Sequence, residues 1–387
     1  MIDFTLTDEQ QMLIQMTHDF VEKEMLPHEE TLERTDTLPP KLAASLKKRA
    51  IELGLHACNL PEEVGGGGLD AVSVMLIEKE LGRTSLALAE CAHRPLNILA
   101  SCEGEQVTKF LEPTIRGEKR DCIAMTEPGA GSDLRGMKCK AELDKDEWII
   151  NGEKHFISQA SISDYCVLFA ATGEDETDKG LKKRISAFLV DFNDHGVEVA
   201  SGYKNVSHRG YTNNILRFDN ARIPRWRIMG PEGDGFRIVN QWLGPTRLTV
   251  AATCVARAER AFEIALNYSA TREQFGQKIG KFQGISFELA DMATEIKMAN
   301  LMLLETAWKI DQGSVTPEDC AMTKLFCSEM LSRVADQSIQ TVGGMGLMED
   351  LPLERIWRDA RLERIWDGTS EIQRHIISRG LLRPLEK

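Results

Sequence analysis

Apolar residues recur along this chain in three successive textures. From Phe4 to about Arg120 they return every three or four positions, the spacing of one helical face. In TLTDEQQMLIQMTHDFVEKEM, Thr7 or Asp8 stands as N-cap ahead of Met12, Leu13, Met16, Phe20 and Val21. Helices are also predicted over 40–54 and 71–82, joined by the loop NLPEEVGGGGLD. Its glycine run invites a phosphate-cradle reading, but no strand precedes it and no Lys-Ser/Thr follows, so the loop is read as a turn.

From Asp121 to Gly230 the runs are short, β-rich and broken by turn residues, as in EWIINGEKHFIS, YCVLFAAT, RISAFLVDF and NILRFDNARIP. The polar tract TGEDETDKGLKKR reads as an exposed hairpin loop. From Gly235 longer helices return. Ile285, Leu289, Met292, Ile296, Ala299, Leu303, Thr306 and Ile310 step by three and four, a bundle helix of about seven turns. Segments 236–270 and 317–341 share that character. The expected fold class is mainly α with a central β-domain: an N-terminal α-helical domain (1–120), a β-barrel or sandwich middle domain (121–233) and a C-terminal four-helix bundle (234–387).

Composition narrows what such a chain can do. A formal charge of −13 opposes non-specific attachment to nucleic acid or to an anionic membrane. No run reaches the length of a transmembrane helix, and MIDFTLTDEQQ has neither a signal-peptide core nor an arginine-rich transit composition, so a cytoplasmic location is expected. The nine cysteines (58, 91, 102, 122, 139, 166, 254, 320, 327) are scattered and form no C-x-x-C pair. That spacing argues against a disulfide framework and a zinc site and predicts buried, reduced thiols. G-x-G-x-x-G is absent, leaving a Rossmann dinucleotide site without support.

Candidate chemistry converges on RLERIWDGTSEIQR, Arg361 to Arg374. Asp367 precedes a glycine and a Thr-Ser pair, at the start of a segment whose Ile372, Ile376 and Ile377 recur at helical spacing. A carboxylate on a turn entering a helix can be aimed into a cleft, while the N–H groups of the turn stay free for an oxyanion or a cofactor oxygen. The plainer alternative is a capping turn, with Thr369 or Ser370 as cap and Glu371 in the first turn.

Five motifs in order, MTEPGAGSD (125–133), NGEKHFIS (151–158), TREQFGQKIGKFQ (271–283), QTVGGMG (340–346) and IWDGTSEIQR (365–374), resemble those of the acyl-CoA dehydrogenase family, and the resemblance covers essentially the whole chain. It implies an FAD-dependent oxidoreductase of fatty acid or amino acid catabolism, a homotetramer or dimer of dimers that takes an acyl-CoA to a 2-enoyl-CoA, with an electron-transfer flavoprotein as acceptor. Carried over by motif position, Met125, Thr126, Phe156 and Ser158 would meet the flavin ring, the last two standing where Trp and Thr are usual. Arg272, with Gln274, Phe275 and Gln283 close by, would reach the FAD diphosphate across a subunit interface, and a guanidinium fork suits two phosphate oxygens. Gln340, Gly343 and Gly344 would form the neighbouring subunit's close-approach loop, and Thr369 and Glu371 would touch FAD, Glu371 replacing the usual Gln. Substrate contacts fall to Ser132, Leu243, Thr246, Arg247 and Gly368. No metal is implied.

In this scheme a carboxylate removes the α-proton as a β-hydride leaves for flavin N5, with the thioester oxygen held by preorganised donors. Here the chain departs from the pattern: Asp367 stands where most members carry Glu, one methylene shorter. Some members carry the base on the helix after the β-domain in L-x-x-E-R, but the matching LGPTR has Thr246 at the Glu position. Asp367 is therefore the expected base. Alternatives on the same fold are an enoyl-CoA reductase of the crotonobetainyl-CoA type and a nitroalkane-oxidase-like flavoenzyme, and a flavin-free scaffold is the alternative from another class. His93 and Arg94, in ECAHRPLN, lie where the family lines the acyl end. They suit a polar acyl tail if they point inward; otherwise they are solvated or pair with acids such as Glu90.

Overall fold

The computed structural model describes residues 5–177 and 180–386, so residues 1–4, Asp178, Lys179 and Lys387 of the segments above lie outside the described residues. The first helix, α1 (Asp8–Phe20), begins at a reciprocal cap: Thr7 Oγ1 accepts from Gln10 N at 3.2 Å while Gln10 Oε1 accepts from Thr7 N at 3.2 Å. Then come α2 (Glu29–Thr35), α3 (Pro40–Glu52), α4 (Ala71–Leu81) and the short α5 (Leu86–Ala89) and α6 (Glu112–Ile115). After the strands follow α7 (Gly235–Thr271), α8 (Gln283–Asp311), α9 (Pro317–Val342), α10 (Leu353–Glu363) and α11 (Ser370–Leu382). α8 buries Met292, Ile296, Ala299, Leu303 and Thr306, all from the stripe the sequence predicts. The two helical parts share one core: Phe20, Leu46 and Ile77 lie in the same apolar cluster as Leu248 and Val255 of α7, Leu303 of α8 and Leu331 of α9. No helix among the described residues is long and apolar enough to cross a membrane.

Between the helical parts the chain forms β1 (Asp121–Ala124), β2 (Lys140–Asp144), β3 (Glu147–Ser158), β4 (Tyr165–Thr177), β5 (Gly180–Asp191), β6 (Val197–Ser201), β7 (Asn213–Pro224) and β8 (Ile228–Met229). They make one eight-stranded sheet in the order β6-β7-β3-β2-β4-β5-β8, with β1 alongside β4 in parallel. A two-residue ribbon, β9 (Glu273–Gln274) and β10 (Gln277–Lys278), joins α7 to α8. The continuous apolar run of β4 is buried on both faces. Tyr165, Val167 and Phe169 pack with Phe110 and Ile238 toward the helices, whereas Cys166, Leu168 and Ala170 pack with Trp148 and Phe188 inside the curl of the sheet. The tract read as a hairpin loop corrects to strand along most of its length. Glu174 pairs with Lys183 and Asp175 with Lys182, so cross-strand charge pairs let exposed polar residues stay extended.

Glu29 joins the halves of the helical body. It accepts from Arg260 of α7 at 2.8 and 2.9 Å, from Arg355 of α10 at 2.6 Å, from Thr84 Oγ1 at 2.9 Å and from Ser85 N at 3.0 Å. Burial pushes its carboxyl up, but Arg260, Arg355 and Thr84 outweigh burial and hold it below the ordinary 4.5. A depressed carboxyl stabilises the fold above about pH 4.5, and that stability is lost as the pH falls through the folded-state value. Glu29→Gln is expected to lower stability by about 2–4 kcal/mol at neutral pH, because two partly buried guanidiniums lose their anion. Urea denaturation as a function of pH checks this, and the variant's stability should also fall less steeply than the wild type's in acid.

Candidate active site

A cavity of about 260 Å³ opens where the two helical parts meet the sheet. One face of α7 reaches it through Trp242, Pro245, Thr246, Thr249, Val250 and Thr253, a helical spacing; α4 adds Val74, Met75 and Glu78, and the start of the sheet adds Asp121 and Ile123. Ser158, Gln159, Tyr211, Trp366 and Asp367 also line it. Four carboxylates therefore share the wall. Glu78 is held by Arg94 at 2.5 Å, Glu90 by Arg120 at 3.1 Å and Asp121 by His93 at 2.5 Å. Asp367 has no ion-pair partner among the described residues.

The turn that carries Asp367 is strained and braced. Asp367 has φ +51° and Gly368 φ +92°, a left-handed pair that swings the chain from α10 into α11. Thr369 is the N-cap of α11, accepting from Ile372 N at 3.2 Å. The Gly368 carbonyl takes hydrogen bonds from Gln373 Nε2 at 2.8 Å and from Lys324 Nζ at 2.9 Å. With its carbonyls turned inward, the turn leaves the N–H groups of Asp367, Gly368 and Thr369 without partners among the described residues, beside the N-terminus of a 13-residue helix.

Lys324 is fully buried on α9, and burial depresses its ammonium while Asp367 is the charge that most supports it. In return burial raises the Asp367 carboxyl to about 6, with Lys324 and Arg247 pulling it down and Glu363 pushing it up. Behind the turn Glu363 accepts from Arg257 at 2.6 Å and from the Trp366 indole at 2.6 Å. His208, buried between Asp359 and Glu363 at 3.3 Å each, stacks on Trp366 with centroids 5.3 Å apart. Burial alone would lower the His208 pKa; Asp359 and Glu363 outweigh it and raise it. This network fixes the residue before Asp367.

The remaining motif residues fall into two groups. The first follows in sequence from the sheet residues that line the cavity, and of it only Ser158 is on the wall. Lys154, fully buried, donates to the Met125 carbonyl at 2.9 Å and to Glu127 at 2.7 Å, and His155 N donates to Thr126 O at 2.9 Å, which sews MTEPG to NGEKH. Phe156 sits in a register break of β3 against β7 at φ +56°, 55% exposed and 5.2 Å from Tyr203, an aromatic face turned out of the core rather than a core side chain. Ser158 is on the wall itself and Ser132 is exposed nearby in sequence on the MTEPGAGSD loop. Of the expected substrate contacts only Thr246 has its side chain on the cavity wall; Arg247 is buried beside Asp367, Leu243 packs toward the sheet, and the Gly368 carbonyl, though not its N–H, is engaged by Lys324 and Gln373. The second group, Arg272, Gln274, Phe275, Gln283, Gln340, Gly343 and Gly344, lies off the cavity and is exposed, as is Glu371. Phe275 is 94% exposed at φ +51°, and a Cβ at Gly343 or Gly344 would meet open space. His93 is buried and Arg94 partly so, and both are paired rather than solvated.

The chain matches family models for the acyl-CoA dehydrogenase N-terminal domain over 7–118, middle domain over 122–221 and C-terminal domain over 233–382. It belongs to the acyl-CoA dehydrogenase family. Among its relatives, the probable acyl-CoA dehydrogenase YngJ of Bacillus subtilis is 38% identical over 99% of this chain and 100% of the relative. The 3-(aryl)acrylate reductase of Clostridium sporogenes is 32% identical over 97% and 99%. Among solved structures, butyryl-CoA dehydrogenase from Megasphaera elsdenii superposes with a TM-score of 0.90 at 31% identity, covering 99% of this chain and 100% of that one. An acyl-CoA dehydrogenase complexed with FAD from Bacillus anthracis has a TM-score of 0.89 at 30% identity, covering 100% of this chain and 69% of the other.

FAD is the cofactor of this acyl-CoA dehydrogenase. The residues present fit it: the bulged, outward Phe156 next to Ser158 offers a ring face and a hydroxyl, and Arg272 offers a guanidinium with no side-chain partner among the described residues. Sequence reasoning missed Lys324, Trp366 and the His208–Glu363 network. Lys324 had a signal, since Cys320, Lys324, Cys327 and Leu331 follow the helical spacing of a buried face. Lys324→Met is expected to raise the Asp367 carboxyl above about 6, while Gln373 still holds the Gly368 carbonyl. More of the carboxyl is then protonated at pH 7, and difference infrared titration of the Asp367 carboxyl measures the shift.

Proposed function

We propose that the chain carries out α,β-dehydrogenation of an acyl-CoA thioester with Asp367 as the carboxylate that takes the α-proton. One observation carries this reading: of the four wall carboxylates, Asp367 alone lacks a salt bridge among the described residues, and its pKa of about 6 suits a base at neutral pH. Around it the free N–H groups of 367–369 are placed to hold the thioester oxygen as charge develops there, which is what an α-proton of low acidity requires. Lys324 keeps the carboxyl ionised, and Trp366, Tyr211 and Thr246 exclude water from the acyl group. When bound, FAD supplies the acceptor for the β-hydride.

A second reading has support from the relative named 3-(aryl)acrylate reductase: the same site run in reverse, with protonated Asp367 returning a proton to the α-carbon. Mixing the oxidised enzyme with saturated thioesters, and the dithionite-reduced enzyme with 2-enoyl thioesters, shows which direction is faster.

The exposed second group supports a homotetramer in which Arg272 serves a cofactor held mainly by another protomer. Phe275, Phe287 (61% exposed) and Trp308 (53%) are large apolar side chains open to water in the single chain. An electron-transfer flavoprotein is assigned as acceptor on the family resemblance. Arg272→Ala is expected to lose flavin and to shift toward smaller species in sedimentation; full flavin content at unchanged size removes Arg272 from this role.

Asp367→Asn should retain fold and FAD, because the amide is nearly isosteric, while flavin bleaching by thioester falls by about three orders of magnitude or more. Asp367→Glu separates two geometries. If the left-handed turn has advanced the shorter side chain to the α-carbon, the added methylene slows bleaching; if not, Glu accelerates it. Near-normal bleaching by the Asn variant eliminates Asp367 as the base.

A further inference from the structure

The dehydrogenase reading, on which this inference rests, gives Asp367 a role but none to the charges packed behind its turn. His208, on the segment between β6 and β7, is buried and does not line the cavity. Its two ring nitrogens lie 3.3 Å from Asp359 and 3.3 Å from Glu363, both on α10, as ion pairs rather than aligned hydrogen bonds. Arg257 of α7 donates to Glu363 at 2.6 Å, and Lys324 of α9 and Asp367 are the charges beyond Glu363. A neutral imidazole carries a hydrogen on one nitrogen only and would turn the other's lone pair toward a carboxylate. With an anion at each nitrogen, the geometry favours the imidazolium. Two anions and two cations then balance behind the turn. Taking the proton from His208 leaves one negative charge in excess there. After burial, Glu363 is what pushes the Asp367 carboxyl up, so that excess acts on the base.

The same ring also holds the turn mechanically. It stacks on Trp366 at an interplanar angle of 20°, and the Trp366 indole donates to Glu363 at 2.6 Å, so the residue before Asp367 is held on its face and at its nitrogen. His208 is itself firmly placed. Its φ of +49° is left-handed, a conformation costly for a histidine, and Asp359 accepts from its backbone N–H at 2.7 Å. Its carbonyl accepts from Tyr211 N at 3.1 Å, which ties the segment to the cavity wall.

We propose that His208 is a positioning residue for the base: its imidazolium neutralises Glu363 and holds the face of Trp366, and through them keeps Asp367 ionised and in place. The two carboxylates outweigh burial and Arg257, so the charge on His208 lasts above the ordinary 6.5. Wild-type flavin bleaching should therefore rise as Asp367 ionises, near pH 6, and fall on the alkaline side as His208 loses its proton.

Difference infrared titration of the Asp367 carboxyl in the FAD-loaded protein reads the charge effect without turnover. In His208→Gln, which keeps polar contacts but no charge, the Asp367 pKa should rise by about one pH unit. The double variant His208→Gln/Glu363→Gln is balanced again and should bring the pKa back to about the wild-type value. Lost packing alone has no reason to reverse when a second buried group is removed. Bleaching by saturated acyl-CoA thioesters should slow at least about tenfold at pH 7 in His208→Gln, with thioester binding little changed, and should lose its alkaline limb. An Asp367 pKa that stays put in His208→Gln, or that the second substitution fails to restore, overturns the proposal, as does an alkaline limb that persists in His208→Gln. A wild-type rate that never falls on the alkaline side overturns it without any variant. The expected titrations with no bleaching of the wild-type flavin by any saturated thioester support the coupling of His208 to Asp367 and remove the dehydrogenation reading instead.

Discussion

A carboxylate without an ion-pair partner among the described residues, set in the wall of a cavity, is the constraint around which this molecule is arranged. Left to burial alone, Asp367 would be protonated and useless as an anion. It is restrained at about 6 by a second unfavourable burial, that of the Lys324 ammonium on α9. Each charge is tolerated because the other is near, and neither forms a contact pair that would neutralise the carboxylate's basicity. The Gly368 carbonyl, bonded to Lys324, ties this electrostatic arrangement to the left-handed turn. The His208–Glu363–Trp366 stack holds the other side of that turn. Base strength and base position thus share the same supports.

The family motifs have mechanical reasons as well as chemical ones. The motifs MTEPG and NGEKH are joined by one buried ammonium: Lys154 bridges the Met125 carbonyl and Glu127, while Glu127 also accepts from Lys138 N and Cys139 N. Two residues further along β3 the register breaks and Phe156 turns outward. A bulge needs a firm strand on one side to be reproducible, and the Lys154 joint provides it.

Much of this was legible in the sequence. Local periodicity carried α1, α4 and α8, because burial on one helical face is written in residues three and four apart. Thr369 as cap and the turn at Asp367 could be read for the same reason. The cofactor and the reaction class came from motifs in series rather than from any one residue. What escaped was long-range pairing. Acidic and basic residues in TGEDETDKGLKKR look like a loop until they oppose one another across a hairpin. His93 and Arg94 find Asp121 and Glu78, partners 28 and 16 residues away that no local pattern indicates. Lys324 follows the spacing of the buried face of α9, yet a lysine there is ordinarily a reason to doubt the face.

The nine thiols have a use beyond packing. All are buried and free, three before the sheet, two within it with Cys139 just ahead of β2, and three in the C-terminal helices. Burial pushes Cys58, Cys91 and Cys102 up to about 12 and Cys139 and Cys320 up to about 11, which silences them as nucleophiles in the closed protein. Each becomes reactive only when its own neighbourhood opens to water. The chain therefore contains a set of intrinsic chemical clocks, distributed over all three regions, from which alkylation rates read the opening of each region separately.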